Sequence, residues 1–341
     1  MRDNDVLILR GHEVRSLLEG REAEILDAVR MAYQAHAGGG CSLPHSTFLN
    51  FPNDERNRII ALPAYLGGDW QIAGMKWVAS FPGNIGAGLD RASAIVVLNS
   101  TCTGRPRAII EGSIISAKRT AAAACLASKW LHKGGTPDRV GIVGCGLISF
   151  EIVRFLSAAW PGLRAFVVFD IEAARARHFK DKCESSFDGV GVDIAEEVNG
   201  VLKSCAVISL ATTAKTPHIF DLSICPAGAT LLHISLRDLS PEVILSCDNV
   251  VDDIDHVCRA QTSVHLTEQL VGNRDFIRCS LGDILNGTSA ARKDGHTLTV
   301  FSPFGLGLLD IAVGKFVMDL ANDDGKGTAI DSFFPSPWAG N

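Results

Sequence analysis

Apolar and polar residues follow one pattern before residue 138 of this chain and another pattern after it. The elements that the first pattern predicts are a helix at 22–36, then short strands and turns, strands at 68–80 and 92–100, and an alanine-rich helix at 112–133. After residue 138, short apolar runs alternate with helical stretches, and these runs lie at 140–144, 164–170, 206–212, 229–235 and 249–253. This alternation predicts a doubly wound parallel sheet.

The first of these apolar runs ends in a glycine-rich turn, and a helical pattern starts at once. Gly144 permits the tight turn, Gly146 lets the backbone approach a pyrophosphate, and the helix directs its free N–H groups at the phosphates. Ser149 stands where a third glycine is usual, and Asp170 closes the next apolar run. We therefore predict a βαβ unit that binds a dinucleotide rather than a turn without a ligand. The carboxylate of Asp170 favours NAD over NADP.

The composition of the 341 residues narrows the class of protein. Apolar residues make up 47% of the chain, which predicts a globular fold with enough residues for two domains. The net charge of −6 disfavours nucleic acid as a partner, and no apolar run has the roughly 18 residues of a membrane span. The ten cysteines contain no C-x-x-C pair, so we expect a reducing, cytoplasmic setting and no metal site.

Three charged residues stand in apolar surroundings. Lys76 lies within a strand-like run, either as a cation for a substrate carboxylate or as a lysine on the wet face of the strand. Arg119 precedes an alanine-rich stretch, either as a bidentate partner for a carboxylate or phosphate or as part of a solvated helix turn. Asp238 follows a predicted strand end, either as a proton acceptor or as a turn residue, although Ser240 is the better helix cap.

Four further polar residues are weaker candidates. Thr212 and Thr213 follow a predicted strand at a place where hydroxyls approach a dinucleotide, although threonine is also an ordinary turn residue. His45 and Arg91 could help to bind an acidic substrate, or they could be structural or surface residues.

Six sequence runs together resemble the ornithine cyclodeaminase/μ-crystallin family over nearly the whole chain. These runs are GMKW at 74–77, KRTAAAA at 118–124, VGCGLIS at 143–149, SLATT at 209–213, SLRDLSPE at 235–242 and FSPFGLGLLDIA at 301–312. The resemblance implies that Lys76 and Arg119 hold the substrate carboxylate and that Asp238 is catalytic. It also implies that Thr120 faces the cofactor phosphate.

The residue patterns and the resemblance together predict catalytic, substrate-binding and NAD-binding residues. The catalytic residues that we predict are Asp238 and Lys76, and the substrate-binding residues are Lys76, Arg119, Arg91 and His45. The residues that we expect to bind NAD are Thr120, Gly144, Cys145, Gly146, Leu147, Ile148, Asp170, Thr212, Thr213, Ser235 and Gly305.

The family's architecture also implies the domain organisation. We expect an α/β protein with a Rossmann NAD-binding domain, a doubly wound parallel sheet, at 118–307. An α+β domain for substrate binding and dimerisation is expected at 1–117 with 308–341. The expected assembly is a homodimer that binds a small amino-acid-derived molecule and neither nucleic acid nor a membrane.

The chain departs from typical cyclodeaminases of the family. The usual G-S-D-x-P-G-K-x-E-L run is replaced by SLRDLSPEVI, and Ser302-Pro303-Phe304 replaces a usual lysine, which disfavours ornithine as the substrate. The runs SFPGNIGAGLDRASAIVVLN and HISLRDLSPE resemble instead one branch of the family. That branch uses NAD to cleave a secondary amine of glutamate into 2-oxoglutarate and L-2,3-diaminopropionate, for siderophore or peptide-antibiotic biosynthesis. The alternatives are ornithine cyclodeaminase, another amino- or imino-acid dehydrogenase, and a non-catalytic NAD(P)H-binding protein of the μ-crystallin kind.

Overall fold

The computed structural model describes residues 4–336 and Trp338. The chain divides into two compact units, at Arg119/Thr120 and again at Leu306/Gly307. The first unit holds the residues before Thr120 together with those from Gly307 onward, and the second unit holds Thr120–Leu306. The sequence analysis divided the chain after residues 117 and 307.

The strands of the described residues are β1 Val6–Leu9, β2 Cys41–Ser42, β3 Thr47–Phe51, β4 Asp54–Leu66, β5 Ile72–Ser80, β6 Ala92–Ser100, β7 Pro106–Glu111, β8 Arg139–Val143, β9 Ala165–Phe169, β10 Gly191–Ile194, β11 Val207–Leu210, β12 Thr230–His233, β13 Asp248–Val251, β14 Ile277–Ser280, β15 Thr299–Ser302 and β16 Thr328–Ile330.

The α-helices are α1 Gly11–Leu18, α2 Glu22–Ala37, α3 Ser113–Leu131, α4 Leu147–Ala159, α5 Ala173–Ser186, α6 Val198–Ser204, α7 Pro241–Leu245, α8 Ile254–Val257, α9 Ser263–Val271, α10 Leu281–Leu285 and α11 Gly307–Asp323. A 3₁₀ helix covers Pro82–Ala87. The helices predicted at 22–36 and 112–133 are confirmed as α2 and α3, and the five strands predicted after residue 138 are confirmed as β8, β9, β11, β12 and β13.

The first unit is built on a mostly antiparallel sheet with the strand order β16-β1-β7-β6-β5-β4-β2, and β3 pairs with β4 beside β2. Helix α11 packs against α2 and against β4, β5 and β6. Glycines make this approach possible: a Cβ on Gly307 would lie 2.7 Å from the Leu62 carbonyl oxygen, and one on Gly74 would lie 2.8 Å from Ile311 Cδ1. The helix therefore lies directly on the face of the sheet that carries Gly74, with its own Gly307 against Leu62 of β4.

The sequence analysis expected short strands and turns where β4 runs for 13 residues. Pro63 lies within this strand, although proline cannot donate to a ladder and is usually absent from central strands. In the structure β3 pairs with β4 up to Ala61, and β2 pairs with it only at Tyr65 and Leu66. Pro63 therefore lies in the gap between the two partners on that side, where no ladder bond is needed.

The second unit is a doubly wound sheet with the strand order β10-β9-β8-β11-β12-β15-β13-β14, and every pairing in it is parallel. Its central strands are buried almost throughout, as is usual for parallel sheets, whereas the edge strand β10 is mostly exposed. The strand order reverses direction between β8 and β11, so the loops that follow these two strands meet at the carboxyl edge of the sheet, where such folds bind ligands.

We expect the substitution Gly74→Ala to destabilise the first unit, because the new Cβ would lie 2.3 Å from the Val97 carbonyl oxygen as well as against α11. Overpacking of this kind costs about 1–3 kcal/mol. Thermal unfolding of the variant measures the effect. The control is Gly83→Ala, where a Cβ meets no atom within 4 Å, and equal unfolding temperatures for the two variants would contradict the prediction.

Candidate active site

Two cations and one carboxylate meet inside the first unit. Lys76 stands on β5, Arg119 on α3 and Asp310 in the first turn of α11, where the helix dipole favours an acid. Asp310 is fully buried and receives both cations: Lys76 Nζ lies 2.8 Å from Oδ2, and Arg119 Nε lies 3.1 Å from Oδ1. Lys76 Nζ also donates to Ser116 Oγ at 3.1 Å. Ser116 and Arg119 are three residues apart on α3, so they share one helix face.

The charges of this cluster do not balance. Burial, together with the neighbouring Arg119 cation, lowers the pKa of Lys76 to about 8, against the opposing attraction of Asp310. Lys76 is therefore protonated at pH 7, and the three side chains carry one net positive charge. An isolated buried charge is costly, and a ligand carboxylate would neutralise it with charge-assisted hydrogen bonds. The cluster is thus suited to binding a carboxylate.

The glycine-rich turn in the second unit has the geometry of a phosphate-binding loop. Gly144 has φ +92°, and a Cβ there would lie 2.6 Å from the Ala211 carbonyl oxygen, so the position requires glycine. Helix α4 begins at Gly146 without a side-chain cap, and a Cβ on Gly146 would meet no atom within 4 Å. The space in front of the helix N-terminus is therefore open to a phosphate.

Asp170 follows β9 and is already joined to this turn. Its Oδ2 accepts the N–H of Cys145 at 2.8 Å, and its Oδ1 accepts the N–H of Glu172 at 3.0 Å. Arg175 Nε lies 3.9 Å from Oδ2. Arg175 thus lies beside the carboxylate that is predicted to select NAD.

The other residues predicted to bind NAD lie at several places in the second unit. Leu147 is exposed at the start of α4, Ile148 and Thr120 are half-buried, and Thr213 is exposed after β11. Gly305 has φ +92°, and its N–H is taken by Asp252.

Asp252 holds the segment that precedes α11. Its two carboxylate oxygens accept the N–H groups of Phe304 and Gly305, each at 2.8 Å. Burial raises the pKa of this carboxyl to about 6, although these backbone donors favour its charged form. The sequence analysis did not single out Asp252, which lies just after an apolar strand.

A second cluster surrounds Asp238, which follows β12 and is fully buried. Its Oδ1 accepts from the Thr212 hydroxyl and lies 3.0 Å from His218 Nε2. Its Oδ2 accepts from the Ser235 hydroxyl and lies 3.3 Å from His233 Nε2. Ser240 caps α7 by accepting from Val243, as predicted, so Asp238 is not the cap of that helix.

The carboxylate of Asp238 is held in its charged form. Burial alone raises the pKa of this group, but the contacts with His233, Ser235 and Thr212 outweigh burial and keep the pKa below its usual value. The structure thus brings together Thr212, Ser235 and Asp238, three residues that the sequence analysis had predicted separately.

Arg91 and His45 make no described contact with the Lys76 cluster. His45 is exposed between β2 and β3. Arg91 is half-buried, and burial together with the nearby Arg58 cation lowers its pKa. Arg58 is opposite Ser80 in the pairing of β4 with β5, and Lys76 is opposite Leu62. Arg58 and Leu62 are four residues apart, so Arg58 lies on the same face of the sheet as Lys76, about 13 Å along the strand.

Sequence reasoning missed Asp310, Arg58, His218 and His233. Asp310 carried a usable signal, because it is a charge inside the apolar helical run GLLDIAV, just as Lys76 is a charge inside an apolar strand. His218 carried none, since its contact with Asp238 depends on a loop that returns to the strand edge. Within residues 4–336 no group of three or more metal-ligating side chains is arranged to hold an ion, and no helix there has the length and apolarity to cross a membrane.

The doubly wound parallel sheet with its open glycine turn defines an α/β protein of the Rossmann class. The chain belongs to the ornithine cyclodeaminase/mu-crystallin family, whose sequence profile matches residues 5–325.

Individual relatives resemble the chain over nearly its full length. It is 26% identical over 339 residues to N-((2S)-2-amino-2-carboxyethyl)-L-glutamate dehydrogenase of Staphylococcus aureus, covering 97% of this chain and 100% of that one. It is 28% identical over 335 residues to alanine dehydrogenase of Archaeoglobus fulgidus, covering 96% and 99%. A solved archaeal alanine dehydrogenase dimer with bound NAD has a TM-score of 0.86 at 26% identity, covering 97% and 100%.

We expect Asp310→Asn to destabilise the first unit strongly, because it removes the carboxylate that two buried cations share. Breaking a buried ion pair from one side costs about 3–5 kcal/mol. Chemical denaturation measures the change in the free energy of unfolding. The matched control is Asp319→Asn on the same helix, whose exposed pair with Lys315 should contribute less than about 1 kcal/mol. If the two variants were equally stable, the cluster would not be electrostatically coupled as described.

Proposed function

We propose that this protein is an NAD-dependent dehydrogenase that cleaves N-((2S)-2-amino-2-carboxyethyl)-L-glutamate. The products are 2-oxoglutarate and L-2,3-diaminopropionate, formed when the glutamate Cα is oxidised and water replaces the amine nitrogen at that carbon. This is the activity named for the Staphylococcus aureus relative, which aligns with the chain along its whole length. The proposal includes a homodimer, because the solved archaeal alanine dehydrogenase is a dimer.

The surplus of cations in the first unit carries the proposal. The Lys76–Arg119–Asp310 cluster has one net positive charge, and Arg58 and Arg91 form no ion pair with any described carboxylate. The proposed substrate has three carboxylates and can use all of this charge. Alanine and ornithine each have one carboxylate, so they would leave Arg58 and Arg91 without a counter-charge.

Each binding residue has a role in this proposal. Lys76 and Arg119 hold the carboxylate next to the reacting Cα, because their buried charge is fixed in position by Asp310. Arg91, with Arg58, binds a second carboxylate further along the substrate. Fixing an acid at both ends orients the Cα–H bond, and orientation is a large part of catalysis in such reactions.

The turn after β8 fits the proposed cofactor. When bound, NAD⁺ supplies the acceptor for the hydride that leaves the substrate Cα. Gly144 and Gly146 leave room for the pyrophosphate at the N-terminus of α4, and Asp170 offers a carboxylate to the adenosine ribose.

The Asp238 cluster serves the proton transfers. Hydride loss requires a neutral amine nitrogen, so a proton must first leave the substrate ammonium group. In this proposal Asp238 supplies a fixed negative charge for these transfers, and Lys76 assists by keeping the substrate carboxylate in place.

A simple amino-acid dehydrogenase is the second candidate, because the chain is as similar to alanine dehydrogenase as to the proposed enzyme. The two candidates differ in what the Arg58 and Arg91 cations would do. Alanine, the substrate of an alanine dehydrogenase, has no second carboxylate for these two cations to bind.

The assay that tests the function supplies the purified protein with the synthetic secondary amine and NAD⁺. We expect NADH, 2-oxoglutarate and diaminopropionate to appear in equal amounts. Arg91→Met should raise the KM for this substrate by about tenfold, since one charge-assisted contact is worth about 1.4 kcal/mol or more. Turnover of alanine with none of the secondary amine would contradict the proposal and favour the second candidate, whereas proline formed from ornithine would identify a cyclodeaminase.

The choice of NAD over NADP depends on Asp170 in this proposal. Asp170→Asn removes the charge that repels a 2′-phosphate while Arg175 stays beside it, so the ratio of kcat/KM for NADP to that for NAD should rise about tenfold or more. Steady-state kinetics with both cofactors measure the ratio. Glu172→Gln is the control, because it removes an equal charge from an exposed neighbour. An equal rise in both variants would show that the effect is one of general charge and not of ribose recognition.

A further inference from the structure

Two histidines share the buried carboxylate of Asp238, and they differ in their access to solvent. The His233 side chain is fully buried, whereas the His218 side chain is 42% exposed. His233 uses both of its ring nitrogens internally: Nε2 accepts the Asp238 N–H at 3.1 Å, and Nδ1 lies 3.2 Å from Ser302 Oγ. His233 is therefore closed to any ligand, and His218 is the histidine of the cluster that a substrate can reach.

The position of His218 is fixed by its backbone as well as by its ring. The N–H groups of His218 and Ile219 both donate to the Asp238 carbonyl oxygen at 2.9 Å, and Ile219 forms a bridge with Leu239. The ring then places Nε2 3.0 Å from Asp238 Oδ1. Both contacts attach the loop after β11 to the segment after β12, so the imidazole is held without burial.

The two ring nitrogens of His218 have different surroundings. Nε2 faces the carboxylate and donates its proton to it, which leaves Nδ1 with a lone pair. Among the described residues, Nδ1 has no hydrogen-bond partner. An imidazole oriented by a buried carboxylate through one nitrogen, with the other nitrogen open, is the arrangement that serves as a general base in hydrolytic triads.

We propose that His218, and not Asp238, exchanges the proton with the substrate nitrogen, and that Asp238 is the positioning residue behind it. This inference rests on the proposed function, because it concerns the same amine oxidation. Asp238 Oδ1 accepts from Thr212 and His218, Oδ2 accepts from Ser235, and the carboxylate is fully buried, so the exposed His218 ring and not that carboxylate is open to the substrate nitrogen.

In this step a proton passes from the substrate ammonium group to His218 Nδ1. One N–H bond of the substrate ammonium breaks and its electron pair stays on the substrate nitrogen. A new N–H bond forms on His218 Nδ1, and the imidazolium charge is stabilised by the adjacent Asp238 carboxylate. When the C–N bond later breaks, the same proton returns to the departing amine nitrogen.

The experiment compares His218→Gln and His218→Ala with the wild-type protein. Glutamine keeps an N–H donor close to Asp238 but cannot carry a proton, and alanine leaves space for added imidazole. We expect His218→Gln to lower kcat by about 10²–10⁴-fold with little change in KM, and imidazole to restore part of the activity of His218→Ala. His12→Gln, an exposed histidine of α1, is the matched control and should behave as the wild type does.

The outcomes separate this inference from the proposed function. The wild type alone tests the function. If it oxidises alanine or a cyclic amine such as proline but not the secondary amine, the variants are compared on that substrate, since a proton must move at nitrogen in each case. Wild-type kcat in His218→Gln, or no response of His218→Ala to imidazole, would overturn the assignment of His218 even where the wild type is active. A wild type that oxidises none of these substrates would overturn the function and this inference with it.

Discussion

Lys76 and Arg119 both pair with the single buried carboxylate of Asp310. The chemistry of the first unit depends on this excess of one positive charge. Removing a charge from water costs several kcal/mol even after the protein relaxes. The second cation has no carboxylate of its own, so it does not stabilise the folded protein. Asp310 offsets the cost of one cation, and the remaining positive charge keeps the cluster in need of an anion. Burial, together with the neighbouring Arg119 cation, lowers the pKa of Lys76 to about 8. Lys76 is still protonated at neutral pH.

Backbone geometry makes the cluster possible, because Asp310 reaches the sheet only if α11 lies directly on it. Gly74 and Gly307 remove the side chains that would hold the helix away. Gly74 stands two residues before Lys76 on the same face of β5, so the position that admits the helix also places its first turn over the lysine. In the second unit Gly144 has the equivalent function, since its positive φ and its close approach to Ala211 bring together the loops after β8 and β11.

Local pattern and long-range contact set the limit of what could be predicted from the sequence. Five of the eight strands of the second unit were predicted, because parallel strands buried on both faces read as continuous apolar runs. The turn at Gly144 and the cap at Ser240 were predictable because their determinants are adjacent in the chain. Asp310 was not assigned, since Arg119 and Asp310 are 191 residues apart and only the fold joins them.

Two fully buried carboxylates, Asp310 in the first unit and Asp238 in the second, have opposite surroundings. Asp310 is bound by cations, whose charges are fixed, so its cluster can hold an anion but is poorly suited to passing protons. Asp238 is bound by hydroxyls and imidazoles, which can reorient or change protonation without a new charge being buried. A buried carboxylate that accepts from three such donors influences chemistry through its neighbours, because protonation would remove the charge that those donors stabilise. The proposal therefore assigns binding by fixed charge and proton transfer through an oriented imidazole to separate clusters. Each is built on a carboxylate that does not itself touch solvent.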